Sequence, residues 1–306
     1  MTLTKLHGMY PALVTPFEAN GSLDEAALRR LVTYHVDAGT DGLFLCGSLG
    51  TGPAMSTEER KRVAAIAMES AAGRLGIIVH VGSLNPFEAV ELSRHAERLG
   101  ADAVASIPPF YYRVGWPVVR AHYDRLLDAT RLPVWAYNQP LHTFVEFTID
   151  QIVELAERGV RGYKDGGLSY YAFQQVLRRV DRERFTVFTA VPSLLFAALA
   201  DGADGFIGGP NNVVPQFYNA MYAAAQDGRW DRAVMLERHA GEVFRLCGGP
   251  GNVALWQALV TELGVEAGQT RFPQAPITEE VRATARANAP RLRQVLVELE
   301  IGSRVR

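Results

Sequence analysis

Eight short apolar runs punctuate the first two-thirds of this 306-residue chain, and within them the apolar residues are largely continuous rather than alternating with polar ones. They are Met9–Val14, Gly42–Cys46, Ile77–Val81, Ala103–Ile107, Pro133–Tyr137, Val160–Tyr163, Thr186–Thr189 and Gly205–Ile207. A strand with one wet face alternates; a strand apolar on both faces needs cover on both, as in a parallel sheet under helices. The intervening segments supply such helices. Asp24–Ala38, Thr57–Ala72 and Pro86–Leu99 carry apolar residues at helical spacing, and Ser56-Thr57-Glu58-Glu59 reads as an N-cap with an acidic first turn. A weak repeat links helix to strand: Ala38-Gly39-Thr40-Asp41-Gly42, Leu99-Gly100-Ala101-Asp102-Ala103 and Asp201-Gly202-Ala203-Asp204-Gly205 each close a helix on glycine and enter an apolar run. About eight strand–helix units in roughly 225 residues predict an α/β fold, a (β/α)8 TIM barrel. An open doubly wound sheet is the alternative, but no Gly-x-Gly-x-x-Gly follows the first strand.

Beyond about Gly228 the strand signal stops. Trp230–Cys247, Asn252–Leu263 and Thr278–Glu298 read as helices, joined by Gly248-Gly249-Pro250-Gly251 and the Pro-bearing segment Phe272–Pro276. The expected division is a barrel with the active site over 1–228 and a C-terminal helical extension over 229–306 that packs on the barrel or serves assembly. No linker separates the two. Charges nearly cancel, 31 Lys and Arg against 33 Asp and Glu, so bulk charge suggests no nucleic-acid partner. No apolar stretch reaches the ~18 residues of a membrane span, and Met1–Leu13 lacks the pattern of a secretory signal. The two cysteines, Cys46 and Cys247, exclude a disulfide framework, and a cytoplasmic location is expected.

The cations are unevenly drawn: three lysines, Lys5, Lys61 and Lys164, against 28 arginines. Genome composition is the ordinary cause of such a bias, yet where solubility is the task this chain uses Arg, so a lysine in an apolar setting is a candidate for chemistry Arg cannot perform. Lys164 follows Val160-Arg161-Gly162-Tyr163 near a strand's C-terminal end, where barrel active sites lie. Strand alternation turns Tyr163 and Asp165 to the opposite face, so Asp165 is not expected beside it as a counter-ion. Burial without a paired anion lowers a lysine pKa and frees the amine to attack a carbonyl; a salt-bridged structural lysine is the competing reading. Tyr137 ends another apolar run and is either a proton relay or packing with a hydrogen-bonded tip. The glycine-rich turn Gly47-Ser48-Leu49-Gly50-Thr51-Gly52 offers backbone N–H groups and the Ser48 hydroxyl to a small carboxylate. The Gly208-Gly209-Pro210-Asn211-Asn212 loop is either a phosphate site or a lining loop, and Asp201 and Asp204 are expected to be solvated. The seven histidines show no metal-ligand spacing, so no metal is expected.

Taken together, Pro11-Ala12-Leu13-Val14-Thr15-Pro16-Phe17, Gly47-Ser48-Leu49-Gly50, Tyr137-Asn138-Gln139-Pro140, Gly162-Tyr163-Lys164-Asp165 and Arg271-Phe272-Pro273 resemble the dihydrodipicolinate synthase/N-acetylneuraminate lyase family. The resemblance runs from Gly8 through the helical tail. It implies a class I lyase that binds pyruvate or another 2-oxo acid as an imine, without metal or cofactor, and assembles as a homotetramer or homodimer. By match to the family pattern Lys164 is the imine-forming lysine, Tyr137 the proton-relaying tyrosine and Ser48 a hydroxyl that contacts the 2-oxo acid. Tyr111, or Tyr112 in the neighbouring register, is the tyrosine lent to an adjacent subunit, and Ile207 lines the lysine.

The departures concern specificity. Leu49 stands where the family usually has a second hydroxyl, Thr51 where the motif closes with Glu, and His142 where the synthases place an arginine for a carboxylate. Ala190-Val191-Pro192 replaces the Gly-x-Asp-Glu type of sequence of the sialic acid lyases, and Gly166-Gly167 removes hydroxyls after the lysine. The expectation is a Schiff-base lyase or aldolase with a small or less polar aldehyde partner. Its substrate-binding residues would be Gly47, Leu49, Ile207, His142, Gly166 and Val191. Condensation of pyruvate with aspartate semialdehyde, or a non-catalytic 2-oxo-acid-binding paralogue, are the alternatives.

Overall fold

The structure, a computed structural model, describes residues 5–302. Strands and helices alternate from the start: β1 (Gly8–Pro11), α1 (Glu25–Asp37), β2 (Gly42–Leu45), α2 (Thr57–Ala71), β3 (Gly76–His80), α3 (Pro86–Leu99), β4 (Ala103–Ser106) and α4 (Trp116–Ala129). Next come β5 (Val134–Asn138), the single turn α5 (Pro140–Thr143), α6 (Ile149–Arg158), β6 (Gly162–Asp165), α7 (Tyr170–Arg179), β7 (Thr186–Thr189), α8 (Leu195–Ala200) and β8 (Gly205–Gly208). Four helices close the chain: α9 (Pro215–Gln226), α10 (Trp230–Leu246), α11 (Val253–Glu262) and α12 (Glu279–Glu298). The strands neighbour one another in the order β1-β8-β7-β6-β5-β4-β3-β2. The two ends of that order meet, because Ala12 bridges Phe44 in parallel and Leu13 N–H donates to Phe44 O at 3.0 Å. The fold is therefore a (β/α)8 barrel followed by C-terminal helices, as the apolar runs predict. Nearly every strand residue is buried, which is why the runs do not alternate.

Two strands differ from the expected runs by more than one residue at an end, for identifiable reasons. β6 begins at Gly162 rather than Val160, because Gly159 (φ 120°) closes α6 and Val160 N–H still donates to Leu155 O. Lys164 thus lies inside the strand, not just beyond it. β1 stops at Pro11, and Val14 N–H goes instead to the Asn212 side chain at 3.1 Å. Contacts divide the chain into two compact units, one of Gly76–Ile207 with the residues before Gly8, the other of Gly8–Leu75 with everything from Gly208 onward. Among the described residues no helix is long and apolar enough to cross a membrane.

The weak sequence repeat has a structural meaning. In each copy the aspartate before an even-numbered strand accepts the backbone N–H of a residue in the odd-numbered strand before it. Asp41 takes Met9 N–H at 2.8 Å, Asp102 takes Ile77 N–H at 2.7 Å and Asp204 takes Val187 N–H at 2.7 Å. The glycine that precedes it turns the chain at positive φ (Gly39 67°, Gly100 79°, Gly202 87°) so the carboxylate arrives beside that strand. At the first copy a Cβ on Gly8 would lie 2.2 Å from Asp41 Cγ, so only glycine admits the clip there. A buried amide left without its acceptor costs about 1–3 kcal/mol, so each aspartate is a local register device. Asp204 is consequently not solvated as the sequence suggested: its side chain is 11% exposed and also pairs with Lys5 and Arg182. Asp201 accepts the Tyr170 hydroxyl and the Gln174 amide.

Candidate active site

In the first unit Lys164 occupies the third position of β6, paired in register with Tyr137 on β5 and Phe188 on β7. Parallel partners share a face, so these side chains lie together, and Lys164 Nζ rests 3.7 Å from the centre of the Tyr137 ring. Both are deeply buried, Lys164 2% and Tyr137 4% exposed. Burial pushes the Lys164 amine well below the ordinary lysine range. Of the other lysines, Lys5 pairs with Asp204 and Lys61 with Glu58.

Asp165 faces the other way, as alternation predicts. Its Oδ1 accepts Asn138 Nδ2 at 2.8 Å, Gly167 N–H at 2.9 Å and the Tyr163 hydroxyl at 3.1 Å. Burial raises its carboxyl above the usual range, and it raises the Tyr163 phenol further. This network fixes the turn that follows Lys164. It also gives the two glycines a packing reason: a Cβ on Gly166 would stand 2.3 Å from Gln139 Oε1, and one on Gly167 2.9 Å from Asn138 Nδ2. Neither Asp165 nor Asn138 was legible as a site-supporting pair, because their contact joins two strands.

The remaining candidates of this unit are dispersed over strand ends and loops. Ile207 is buried on β8, Gly166 and Val191 are half-buried, and His142 is exposed on α5. Val191 N–H is held by Thr189 Oγ1 at 3.2 Å. Tyr111 sits at φ 71° with its ring edge-on to Tyr112 at 5.0 Å, and the two are 72% and 65% exposed. Trp116, which opens α4, donates its indole N–H to Glu154 at 2.8 Å. Arg113 lies over the Phe144 ring at 5.2 Å, two residues from His142 in the chain.

In the second unit the glycine-rich turn leaves β2 through Cys46 (φ 56°). Two of its N–H groups are spent internally, Thr51 on Ser48 O at 3.2 Å and Gly52 on Gly47 O at 3.0 Å. That leaves fewer donors for a carboxylate than the sequence suggests. A Cβ at Gly52 would fall 1.7 Å from Cys46 O, so this position admits only glycine. Gly47 is buried, Ser48 and Leu49 are half-buried, and Thr51 is buried at φ 59°. Leu49 lies beside Gly209, whose added Cβ would come within 3.0 Å of Leu49 Cδ1. The loop after β8 acts as a staple: Asn212 accepts Val14 N–H and donates to Ala12 O at 3.0 Å.

A parallel barrel with a deeply buried lysine amine on a strand beside a tyrosine has the groups that imine chemistry on a lysine requires. Comparison with known proteins places it further. The chain belongs to the dihydrodipicolinate synthetase family, whose model matches residues 5–291, and is a class I lyase of that family. It is 33% identical over 288 residues to an N-acetylneuraminate lyase of Rhizobium meliloti, covering 94% of this chain and 95% of the relative. It is 32% identical over 285 residues to a 4-hydroxy-tetrahydrodipicolinate synthase of Bradyrhizobium diazoefficiens, covering 93% and 96%. The crystal structure of YagE, a prophage protein of the dihydrodipicolinic acid synthase family from Escherichia coli K12 in complex with pyruvate, superposes with a TM-score of 0.87. The two are 27% identical, and the match covers 97% of this chain and 99% of that one.

Proposed function

We propose that this chain joins pyruvate to, or releases it from, an aldehyde through an imine on Lys164. The observation that carries this reading is the buried Lys164 amine lying against the Tyr137 ring. The amine adds to the C2 carbonyl of pyruvate, and loss of water leaves a C=N bond. That bond draws electrons from the adjacent methyl, whose proton leaves to give an enamine, and the enamine carbon attacks the aldehyde. Tyr137 is the nearby group with an exchangeable proton, the phenol that would ferry protons to and from the substrate. For Ser48, Gly47 and Leu49 the assignment to the 2-oxo acid rests on the family pattern. Borohydride reduction in the presence of pyruvate followed by intact-mass measurement tests the reading. A stable adduct is expected; failure with every simple 2-oxo acid would favour the non-catalytic paralogue instead.

The aldehyde partner is read as small or weakly polar; His142, Gly166 and Val191 are the residues of the first unit assigned to it, and Leu49 is assigned by the family pattern alone. An imidazole cannot make the bidentate carboxylate contact of a guanidinium. We therefore expect kcat/KM with aspartate semialdehyde to fall below about 10⁴ M⁻¹s⁻¹, the low end of ordinary enzymes. One observation favours the synthase reading: Arg113 stacks on Phe144, close in the chain to His142. A value above that threshold, lost in Arg113→Ala, would establish Arg113 as the substitute carboxylate ligand and remove the small-aldehyde reading.

The assembly read for this chain is a homodimer or homotetramer. Support comes from Phe87, Tyr111, Tyr112, Leu141, Leu168 and Tyr171, on the loops and first helical turns after β3, β4, β5 and β6, which are 65–81% exposed. Large apolar side chains exposed to this extent favour a surface that is covered, and a second copy is the proposed cover. Light scattering at micromolar concentration is expected to give a multiple of 33.6 kDa; a monomer mass would sink the shared-site role of Tyr111.

A further inference from the structure

His80 ends β3 inside an otherwise apolar run and is 1% exposed. Its register places it. His80 pairs with Ala105 and Ala105 with Trp135, so all three share a face with Tyr137, two residues further along β5. The His80 ring stands perpendicular to the Tyr137 ring, centres 6.0 Å apart with an interplanar angle of 86°. Lys164 Nζ lies against the same tyrosine ring.

The orientation of His80 is itself held. Its Nε2 accepts Ile107 N–H at 3.3 Å, so the ring is in the Nδ1-protonated, neutral form. The carbonyl of the following peptide, Ile107 O, accepts the Ser106 hydroxyl at 2.7 Å. That hydroxyl lies 2.8 Å from His122 Nε2, which is then the donor, and the Tyr123 hydroxyl donates to Ser106 O at 2.7 Å. Gly82 completes the fit. A Cβ there would lie 2.9 Å from His80 Nε2 and 3.0 Å from Ser106 Oγ, so any side chain would push the imidazole off its seat.

We propose that His80 is a positioning residue for Tyr137: held by the Ile107 peptide, its ring packs perpendicular to the tyrosine and fixes the plane against which Lys164 rests. His80 acts through Tyr137, and perpendicular aromatic pairs supply such directional contact. A phenol that must deliver protons to one substrate position gains rate from a fixed plane, and displacement of about 1 Å can cost about 10²-fold. The inference rests on the roles given above to Lys164 and Tyr137.

The test is exchange of the pyruvate methyl protons in D2O, followed by NMR, which needs only imine and enamine formation. His80→Ala is expected to lower kcat for exchange by about 10- to 100-fold with KM for pyruvate within about 3-fold. In a Tyr137→Phe background the same substitution is expected to change nothing further, because the hydroxyl whose place the ring plane sets is gone. Additive losses would overturn the proposal. His80→Phe restores a ring and should recover most of the rate, whereas His80→Gln offers Ile107 an acceptor without a ring and should not. Rescue by Gln and not by Phe would reduce His80 to a backbone acceptor and overturn the proposal; this pair also decides the matter should His80→Ala fail to fold. Absence of exchange by the unaltered protein overturns the pyruvate reading first and this one with it.

Discussion

Replacing Lys164 by Met is expected to abolish the pyruvate adduct, to lower turnover by about 10⁴-fold or more, and to raise the unfolding midpoint. The first two effects follow from removing the nucleophile. The third follows from linkage. Burial depresses the folded-state pKa of Lys164, so between that value and the unfolded lysine value the unfolded chain binds a proton the native chain does not. Native stability at neutral pH is reduced accordingly and recovers as pH rises toward the ordinary lysine range. A thioether of similar length carries no such penalty and fills the same space. Lys164→Arg should behave in the opposite way, losing both adduct and stability, because a guanidinium stays protonated and is larger. Chemical denaturation and intact-mass measurement on the same preparations check both halves. Adduct formation on Lys5 or Lys61 in the Met variant, or a lowered midpoint, would show that Lys164 is not the buried reactive amine.

The second large effect is acid sensitivity. His35 is fully buried on α1 with neither ring nitrogen hydrogen-bonded, and burial pushes its imidazole down to about 3. His122, held against Ser106, is pushed down to about 4 by burial and the Arg125 charge. Both are lowered relative to the unfolded value of 6.5, so the unfolded chain takes up protons first as pH falls. Stability is therefore unaffected by these groups above about pH 6.5 and declines below it, by about 1.4 kcal/mol per pH unit for each histidine. Between pH 6.5 and 4.5 the pair removes about 5 kcal/mol at most, a large share of a typical domain's 5–15 kcal/mol. Asp165, raised by burial, opposes the trend as it gains a proton in the native state. Denaturant midpoints at pH 7 and 4.5 should differ widely, and His35→Leu should flatten the curve by about half. Equal midpoints at the two pH values would contradict the buried neutral state of both rings.

Most of the architecture was legible because its physical cause is local. A strand covered on both faces is written as an unbroken apolar run, and Thr186–Thr189 and Pro86–Leu99 fall where the pattern puts them. Lys164 was legible because lysine is scarce in this chain and the strand is apolar. Other features have causes that cross the chain. The hydrogen bond from Asn138 to Asp165 and the clip made by Asp204 join separate strands, so the sequence shows them only as polar residues near turns. His80 was passed over for the same reason, although an imidazole ending an apolar run is a signal that could have raised it. Gly166 and Gly167 look in sequence like lost hydroxyls, whereas the structure shows them making room for Gln139 and Asn138.

The aspartate clips recur in three of the four successive strand pairs, with a consequence for a severed chain. The clips lie within the pairs β1–β2, β3–β4 and β7–β8, while in β5–β6 the equivalent position is Arg161, whose N–H reaches Val134 O at 2.8 Å. A nick at Gly73, Arg131 or Asp181 leaves each clipping carboxylate on the same fragment as the amide it holds. A nick between Asp24 and Asp41, or between Pro86 and Asp102, parts them. Fragments cut at the first set of points keep their strand register written within themselves and can reassociate as quarters. Those cut at the second must recover it from one another. The quarter without an aspartate carries both Tyr137 and Lys164, so its register depends on ladder pairing and on the Asn138–Asp165 link at the far end of the strands.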